Sequence, residues 1–119
     1  MSVPAIQIEG LSKSFGGLPV ISGVDLRIDP GERHLIIGPN GAGKTTLFNL
    51  IAGDLRPDRG TLRLGGRDVS RLPTERRVHL GLGRTFQVLT LFPRDTLVDN
   101  VVLALLGLSP LRWTCLVSL

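Results

Sequence analysis

Positions 38–46 have the residue types and the spacing of a phosphate-binding loop. They read G-P-N-G-A-G-K-T-T, which fills every fixed position of the pattern G-x-x-x-x-G-K-[ST]. Glycines let a backbone bend and approach a phosphate closely, the lysine offers a positive charge, and the next hydroxyl can hold a magnesium ion. The residues expected to bind phosphate are Gly38, Pro39, Asn40, Gly41, Ala42, Gly43, Lys44, Thr45 and Thr46.

The flanks of this loop predict a strand before it and a helix after it. Arg33 to Ile37 ends in an apolar run, and the helical pattern from Thr46 to Ala52 stops at Gly53. The first N–H groups of a helix have no intrahelical partner, and the helix dipole favours negative charge there. The alternative is a glycine turn that only joins strand to helix, but the loop and both flanks agree on an anion site.

The composition excludes several classes of protein. A chain of 119 residues is one domain or less. Its single cysteine, Cys115, excludes an internal disulfide framework and a cysteine-cluster metal site. No secretory signal is visible, and the apolar run from Val101 to Leu108 is shorter than the roughly 20 residues of a membrane span. These features predict a cytoplasmic chain that reaches a membrane only through a partner.

Arginines crowd the middle of the chain, and the net charge is +4. Such a patch can bind nucleic acid. Here acidic residues interleave with the arginines, and no aromatic residue lies among them before Phe86. The pattern is more typical of a solvated face of mixed charge, so we expect no nucleic-acid partner.

The elements around the loop predict a mixed α/β fold. Alternating residues indicate strands over Ala5 to Leu11 and Val24 to Ile28, and Gly65-Gly66 joins a hairpin formed by Thr61 to Leu64 and Arg67 to Val69. Further along, we expect a short helix from Pro73 toward Val78 and a short strand after Gly83 through Gln87. A last helix should begin at a Thr96–Asp99 capping box and end at Gly107 and Pro110. Its apolar face consists of Val98, Val101, Val102, Leu105 and Leu106.

Three segments together resemble the ATP-binding subunit of ABC transporters. They are Lys13-Ser14-Phe15-Gly16, the phosphate loop that follows, and Gly83 to Gln87, which reads G-R-T-F-Q. The chain is similar to the branched-chain amino acid importer subfamily, and subunits for urea import and lipopolysaccharide export are similar as well. The resemblance implies a P-loop NTPase core of the ABC type with an N-terminal antiparallel β subdomain, and ATP and Mg²⁺ as cofactors.

The resemblance also assigns residues by position. Phe15 matches the aromatic residue that stacks on adenine, with a core phenylalanine as the alternative. Gln87 matches the glutamine that reaches the magnesium ion and the attacking water, with an ordinary polar loop residue as the alternative. The resemblance thus implies that Lys44 and Gln87 are catalytic and that Thr45 and Gln87 bind the metal. Leu91 and Phe92 lie where the family contacts its membrane subunits, although Phe92 can equally be a core residue.

The departures from the family pattern concern the remainder of the site. A family domain is about twice this length, and neither a serine-glycine-glycine-glutamine signature nor an apolar run followed by Asp-Glu occurs in this sequence. We therefore expect residues 1–119 to form a partial ABC-type nucleotide-binding domain that stops before the signature and Walker B regions, with 108–119 as a candidate aberrant tail. The family is an ATPase, but we expect this chain alone to be inactive.

The function implied by the resemblance is that of a truncated ATP-binding subunit of an importer for branched-chain amino acids. It implies membrane permease subunits and a second ATP-binding subunit as partners, and a place on the inner face of the cell membrane. The alternatives are a urea or lipopolysaccharide system, an ABC ATPase without a transport role, a different phosphate-loop enzyme such as a small-molecule kinase, and an inactive truncated product.

Overall fold

A computed structural model describes residues 2–85 and 92–108 of the chain. The chain divides into two compact units, 1–83 and 84–119. The first unit contains four strands and two helices, and the second contains one helix among the described residues. The elements are β1 (Ile6–Phe15), β2 (Leu18–Ile28), α1 (Lys44–Ala52), β3 (Arg59–Leu64), β4 (Arg67–Asp68), α2 (Thr74–His79) and α3 (Leu97–Leu108).

The strands of the first unit form one antiparallel sheet with the order β2-β1-β3-β4. Ile8 of β1 lies opposite Leu26 of β2 on one side and Leu62 of β3 on the other. The predicted two-glycine connection is confirmed: Gly65 and Gly66 have φ values of 54° and 80° between β3 and β4. Positive φ at both positions is what a tight hairpin turn requires, and glycine adopts it without steric cost.

The core of the first unit lies between this sheet and α1. Alternate residues of the strands and one face of the helix are apolar, which is why the two surfaces can bury each other. Arg77 is the only buried charged residue in the part of the chain that the structure describes. The buried apolar side chains are Ile8, Leu11, Ile21, Leu47, Leu50, Ile51, Leu62, Leu64 and Val69.

The predicted strand from Arg33 to Ile37 is not present in the structure, although all its residues are described. Leu35 and Ile37 are each 83% exposed, and Ile36 alone packs partly against the core. A strand forms only where a neighbouring strand takes up its N–H and C=O groups, and no described strand pairs with this segment. The prediction of a strand over 33–37 is therefore wrong for this structure.

Other predicted boundaries shift by a few residues. The helix after the phosphate loop begins at Lys44 instead of Thr46, and it ends at Gly53 as predicted. Pro73 is the N-cap of α2 and not its first helical residue. Residues 82–85 form no strand, while Phe86 and Gln87 lie outside the described residues.

The helix of the second unit starts as the sequence predicts. The Thr96 hydroxyl donates to Asp99 Oδ2 at 2.6 Å and accepts the Asp99 N–H at 3.1 Å, which confirms the capping box. The described helix runs through Gly107 to Leu108, and Pro110, the other residue of the predicted end, lies outside the described residues. One glycine costs a helix only about 1 kcal/mol, so a helix can continue through it. The expected apolar face is largely exposed: Val98, Val101, Val102 and Leu105 are between 45% and 69% exposed.

Candidate phosphate-binding site

The phosphate loop leads directly into the N-terminus of α1. The first hydrogen bond of the helix runs from the Leu47 N–H to Gly43 O at 2.9 Å. The amides of Lys44, Thr45 and Thr46 precede it and have no intrahelical acceptor. No acidic residue lies in this first turn. The loop therefore presents unpaired N–H groups and the positive end of the helix dipole, which suit an anion.

Two glycines give the loop its shape. Gly41 and Gly43 have φ values of 84° and 90°, in the region that favours glycine. A Cβ atom on Gly43 would lie 3.0 Å from Ile21 Cδ1 and 3.1 Å from Val20 O, so β2 approaches the loop closely at this point. A Cβ on Gly41 would meet nothing within 4 Å, and the loop is open there. The fit between β2 and Gly43 holds one side of the loop while the other stays accessible.

The ammonium group of Lys44 lies across the loop. Its Nζ donates to the carbonyl of Gly38 and to Pro39 O, the second at 3.3 Å. Between these residues, the Ala42 N–H donates to Pro39 O at 3.2 Å and closes a turn. An ammonium group has three donors, so an incoming phosphate can join or replace these carbonyls. The positive charge of Lys44 therefore lies at the phosphate loop.

A cation at this site would depend on few protein groups. Thr45 is exposed on the first turn of α1. No group of three or more histidine, cysteine, aspartate or glutamate side chains that could hold a metal occurs in residues 2–85 and 92–108. Mg²⁺ is commonly held by one or two protein oxygens together with the phosphates of a bound substrate, so the Thr45 hydroxyl fits this ion. Gln87, the other predicted metal residue, lies outside the described residues.

Phe15 is the last residue of β1 and is 45% exposed. It is not part of the buried cluster, so the alternative of a core phenylalanine finds no support in the structure. Lys13 Nζ lies 5.5 Å from the centroid of its ring, which is within the range of a cation–π interaction. Phe15 and the phosphate loop belong to the same compact unit.

Asp58 is a further polar residue near Phe15 that was not predicted from the sequence. Its Oδ2 accepts the Ser14 N–H at 2.7 Å, and its Oδ1 accepts Lys13 Nζ at 3.2 Å. The hydrogen bond from the Ser14 backbone, and then the Lys13 ammonium, lower the pKa of the Asp58 carboxyl. The residues next to Asp58 in the sequence do not indicate these contacts, because the partners Ser14 and Lys13 lie 44 and 45 residues away.

Arg77 was missed as well, because the charge pattern indicated a solvated face. Its side chain is 1% exposed, and its guanidinium donates to the carbonyls of Leu50 and Ile51 at 2.7 and 2.8 Å. Burial lowers the pKa of Arg77, and the charge of Asp54 opposes this effect. A guanidinium stays protonated in proteins, so a positive charge binds the last turn of α1, where the helix dipole is negative.

The comparison with known sequence families decides the identity of this fold. The family described as ABC transporter matches residues 21–115, which include the phosphate loop and α1. The chain belongs to the ABC transporter family of ATP-binding proteins. Its fold is that of an ABC-type P-loop NTPase, as the motifs predicted.

Curated ABC relatives are about 40% identical to this chain over the part that aligns. The high-affinity branched-chain amino acid transport ATP-binding protein BraF of Pseudomonas aeruginosa is 41% identical over 87% of this chain, and LivG of Escherichia coli, which carries the same description, is 40% identical over the same share. The spermidine/putrescine import ATP-binding protein PotA of Photobacterium profundum is 42% identical over 86%. The chain spans 41% of the length of BraF and LivG, and 27% of PotA.

A solved ABC cassette has the same fold. The ADP conformation of an ATP-binding cassette of an ABC transporter superposes with a TM-score of 0.78 at 33% identity. The match covers 94% of this chain and 44% of that cassette. Among the described residues of this ABC chain, no helix has both the length and the apolar character needed to cross a membrane.

Proposed function

We propose that this chain binds ATP and Mg²⁺ through the loop Gly38 to Thr46, as part of the ATP-binding subunit of an ABC importer. The observation that carries the proposal is the set of amides at the start of α1 that have no intrahelical acceptor, with the Lys44 ammonium held beside them. Membership of the ABC family supports a nucleotide as the anion. Residues 1–119 then form part of one nucleotide-binding domain.

The roles of the individual residues follow from their chemistry. The amides of Lys44, Thr45 and Thr46 bind phosphate oxygens, and Lys44 neutralises charge on the terminal phosphates. The Thr45 hydroxyl would hold Mg²⁺, and the ion, when bound, would offset negative charge on the phosphates. We assign Gln87 to the same cation and to the water that attacks the phosphate. Phe15 stacks on the base through its exposed ring.

The transported substrate proposed is a branched-chain amino acid, because the relatives BraF and LivG carry that description. The partners are membrane permease subunits and a second ATP-binding subunit, which place the chain on the cytoplasmic face of the membrane. Phe92 is 58% exposed, and Asn100 anchors its backbone by bonds of 2.9 and 3.2 Å. An exposed aromatic side chain on an anchored backbone suits a contact with a partner, since a few desolvated residues carry most of the binding energy.

A second candidate is a subunit of an importer for a different substrate. The relative PotA, a spermidine/putrescine import protein, has 42% identity over 86% of this chain, which is close to the value for BraF. Both candidates share the same nucleotide chemistry, and they differ only in what the membrane subunits carry.

The experiment is a titration of the chain, fused to a soluble carrier protein, with a fluorescent ATP analogue and Mg²⁺. Lys44→Ala removes the positive charge that lies at the loop, and we expect it to lower affinity at least about tenfold, since charge-assisted bonds to phosphate are worth about 1.5–3 kcal/mol.

The matched control is Arg27→Ala, which also removes one positive charge. Arg27 is exposed and paired with Asp29 at 2.9 Å on β2. We expect this variant to bind like the unaltered chain. Equal affinity of the Lys44→Ala variant and the unaltered chain would show that the loop does not bind the nucleotide.

A further inference from the structure

The end of β1 that carries Phe15 extends beyond the edge of β3. The pairing of β1 with β3 ends at Ser12, opposite Arg59. The pairing with β2 continues three residues further, to Phe15 opposite Leu18. A strand paired on one side only is held more weakly than a central strand, so the position of Phe15 needs a further support.

Asp58 provides this support on the side where β3 is missing. Its backbone N–H donates to Ser12 O at 2.9 Å, and its Oδ2 accepts the Ser14 N–H at 2.7 Å. Residues two apart in a strand present their backbone groups to the same edge. The Asp58 carboxylate therefore takes the place of a backbone carbonyl that a residue before Arg59 would supply if β3 began earlier.

The same carboxylate orients Lys13 over the aromatic ring. Asp58 Oδ1 accepts Lys13 Nζ at 3.2 Å, and the Lys13 side chain is only 17% exposed. From this position the ammonium lies 5.5 Å from the centroid of the Phe15 ring. One side of the ring thus faces a fixed cation, while the ring as a whole remains 45% exposed and available to a planar ligand.

We propose that Asp58 is a positioning residue for the purine base of the nucleotide, acting through Ser14 and Lys13 on Phe15. The inference rests on the proposed function, because it concerns the base of the nucleotide whose phosphates bind at Gly38 to Thr46. Asp58 does not touch the nucleotide. It fixes the end of β1 and holds the Lys13 ammonium on one side of the Phe15 ring. The base then stacks on the other side of the ring, and its binding does not have to order the end of the β1–β2 hairpin first.

The test compares ATP with inorganic tripolyphosphate, which has the phosphates and no base. In the carrier fusion, Asp58→Ala should lower the affinity for ATP about fivefold or more, which is the lower range for losing a base–aromatic stack. The affinity for tripolyphosphate should not change. Phe15→Ala should give the same pattern, and the double variant should lose no more than either single variant, since both changes remove one interaction.

The matched control is Asp25→Ala. The Asp25 carboxylate also accepts an amide of β1, that of Gly10 at 2.7 Å, but it does so away from Phe15. We expect this variant to keep the ATP-to-tripolyphosphate ratio of the unaltered chain. A second variant, Asp58→Asn, keeps an oxygen for the Ser14 N–H and loses the charge opposite Lys13, so it should show a smaller loss confined to ATP.

Four outcomes would overturn the inference. The first is an equal loss of affinity for ATP and for tripolyphosphate in the Asp58 variants. The second is an unchanged affinity for ATP in an Asp58→Ala variant that circular dichroism shows to be folded. If Asp58→Ala does not fold, an Asp58→Asn variant that binds ATP like the unaltered chain overturns it. Failure of the unaltered chain to bind either ligand would refute the proposed function, and the inference with it.

Discussion

The buried guanidinium of Arg77 links the C-terminal end of α1 to the chain that follows β4. It donates to Leu50 and Ile51 in the helix and to Leu72 O at 2.9 Å. Gly53 ends the helix, and a Cβ on it would lie 2.9 Å from Arg77 Nε. The helix whose first turn lies at the candidate phosphate site is therefore anchored at its opposite end by one charged side chain.

We expect Arg77→Ala to lower the free energy of unfolding by at least about 2 kcal/mol, because it leaves several buried carbonyls without a donor. Urea unfolding followed by circular dichroism measures this. Arg76→Ala is the control, since Arg76 is exposed in the same helix and its loss should cost less than about 0.5 kcal/mol. Equal unfolding midpoints for the two variants would contradict the structural role of Arg77.

At the scale of elements, the backbones of β1 and β3 approach each other closely at Gly60. A Cβ on this residue would lie 2.4 Å from Gly10 O and 2.6 Å from Glu9 O, and its φ is 89°. Both conditions require glycine, because an added side chain would meet backbone atoms that cannot move without breaking the ladder. The pairing of the two strands therefore depends on this position.

Gly60→Ala should cost more than about 3 kcal/mol of stability, through the backbone clash in addition to the strained φ. Gly65→Ala is the matched comparison, because its φ is 54° and an added Cβ would meet nothing within 4 Å. It should cost only about 1–2 kcal/mol, the price of a left-handed residue. The two variants can be compared by thermal unfolding, and a Gly65 variant as unstable as the Gly60 variant would show that the clash is unimportant.

Elements set by local sequence were the predictable ones. The helix α1, the Gly65-Gly66 hairpin and the Thr96–Asp99 cap follow from neighbouring residues, and the structure contains them. The strand predicted over 33–37 depends on partners distant in sequence, and local patterns cannot supply them. For the same reason the site's supports were missed: Asp58 reaches Ser14 across 44 residues, and Arg77 reaches Ile51 across 26.

At the scale of the whole molecule, the described chain corresponds to 44% of a solved ABC cassette and contains the complete phosphate loop. Leu35, Ile37 and Leu97 are each at least 75% exposed. The phosphate loop nevertheless keeps its internal bonds and its contact with β2. The central claim is therefore that this loop binds a nucleotide within the 119-residue chain itself.

The most direct test of that claim is to follow backbone amide signals of the isotope-labelled chain by NMR while ATP and Mg²⁺ are added. We predict saturable shifts of Gly41, Gly43, Lys44 and Thr45, whose amides surround the start of α1, and none of Gly65 and Gly66 at the distant hairpin. Loss of the shifts in Lys44→Ala would agree with the account. An absence of shifts in the loop at ATP concentrations that perturb other residues would contradict it.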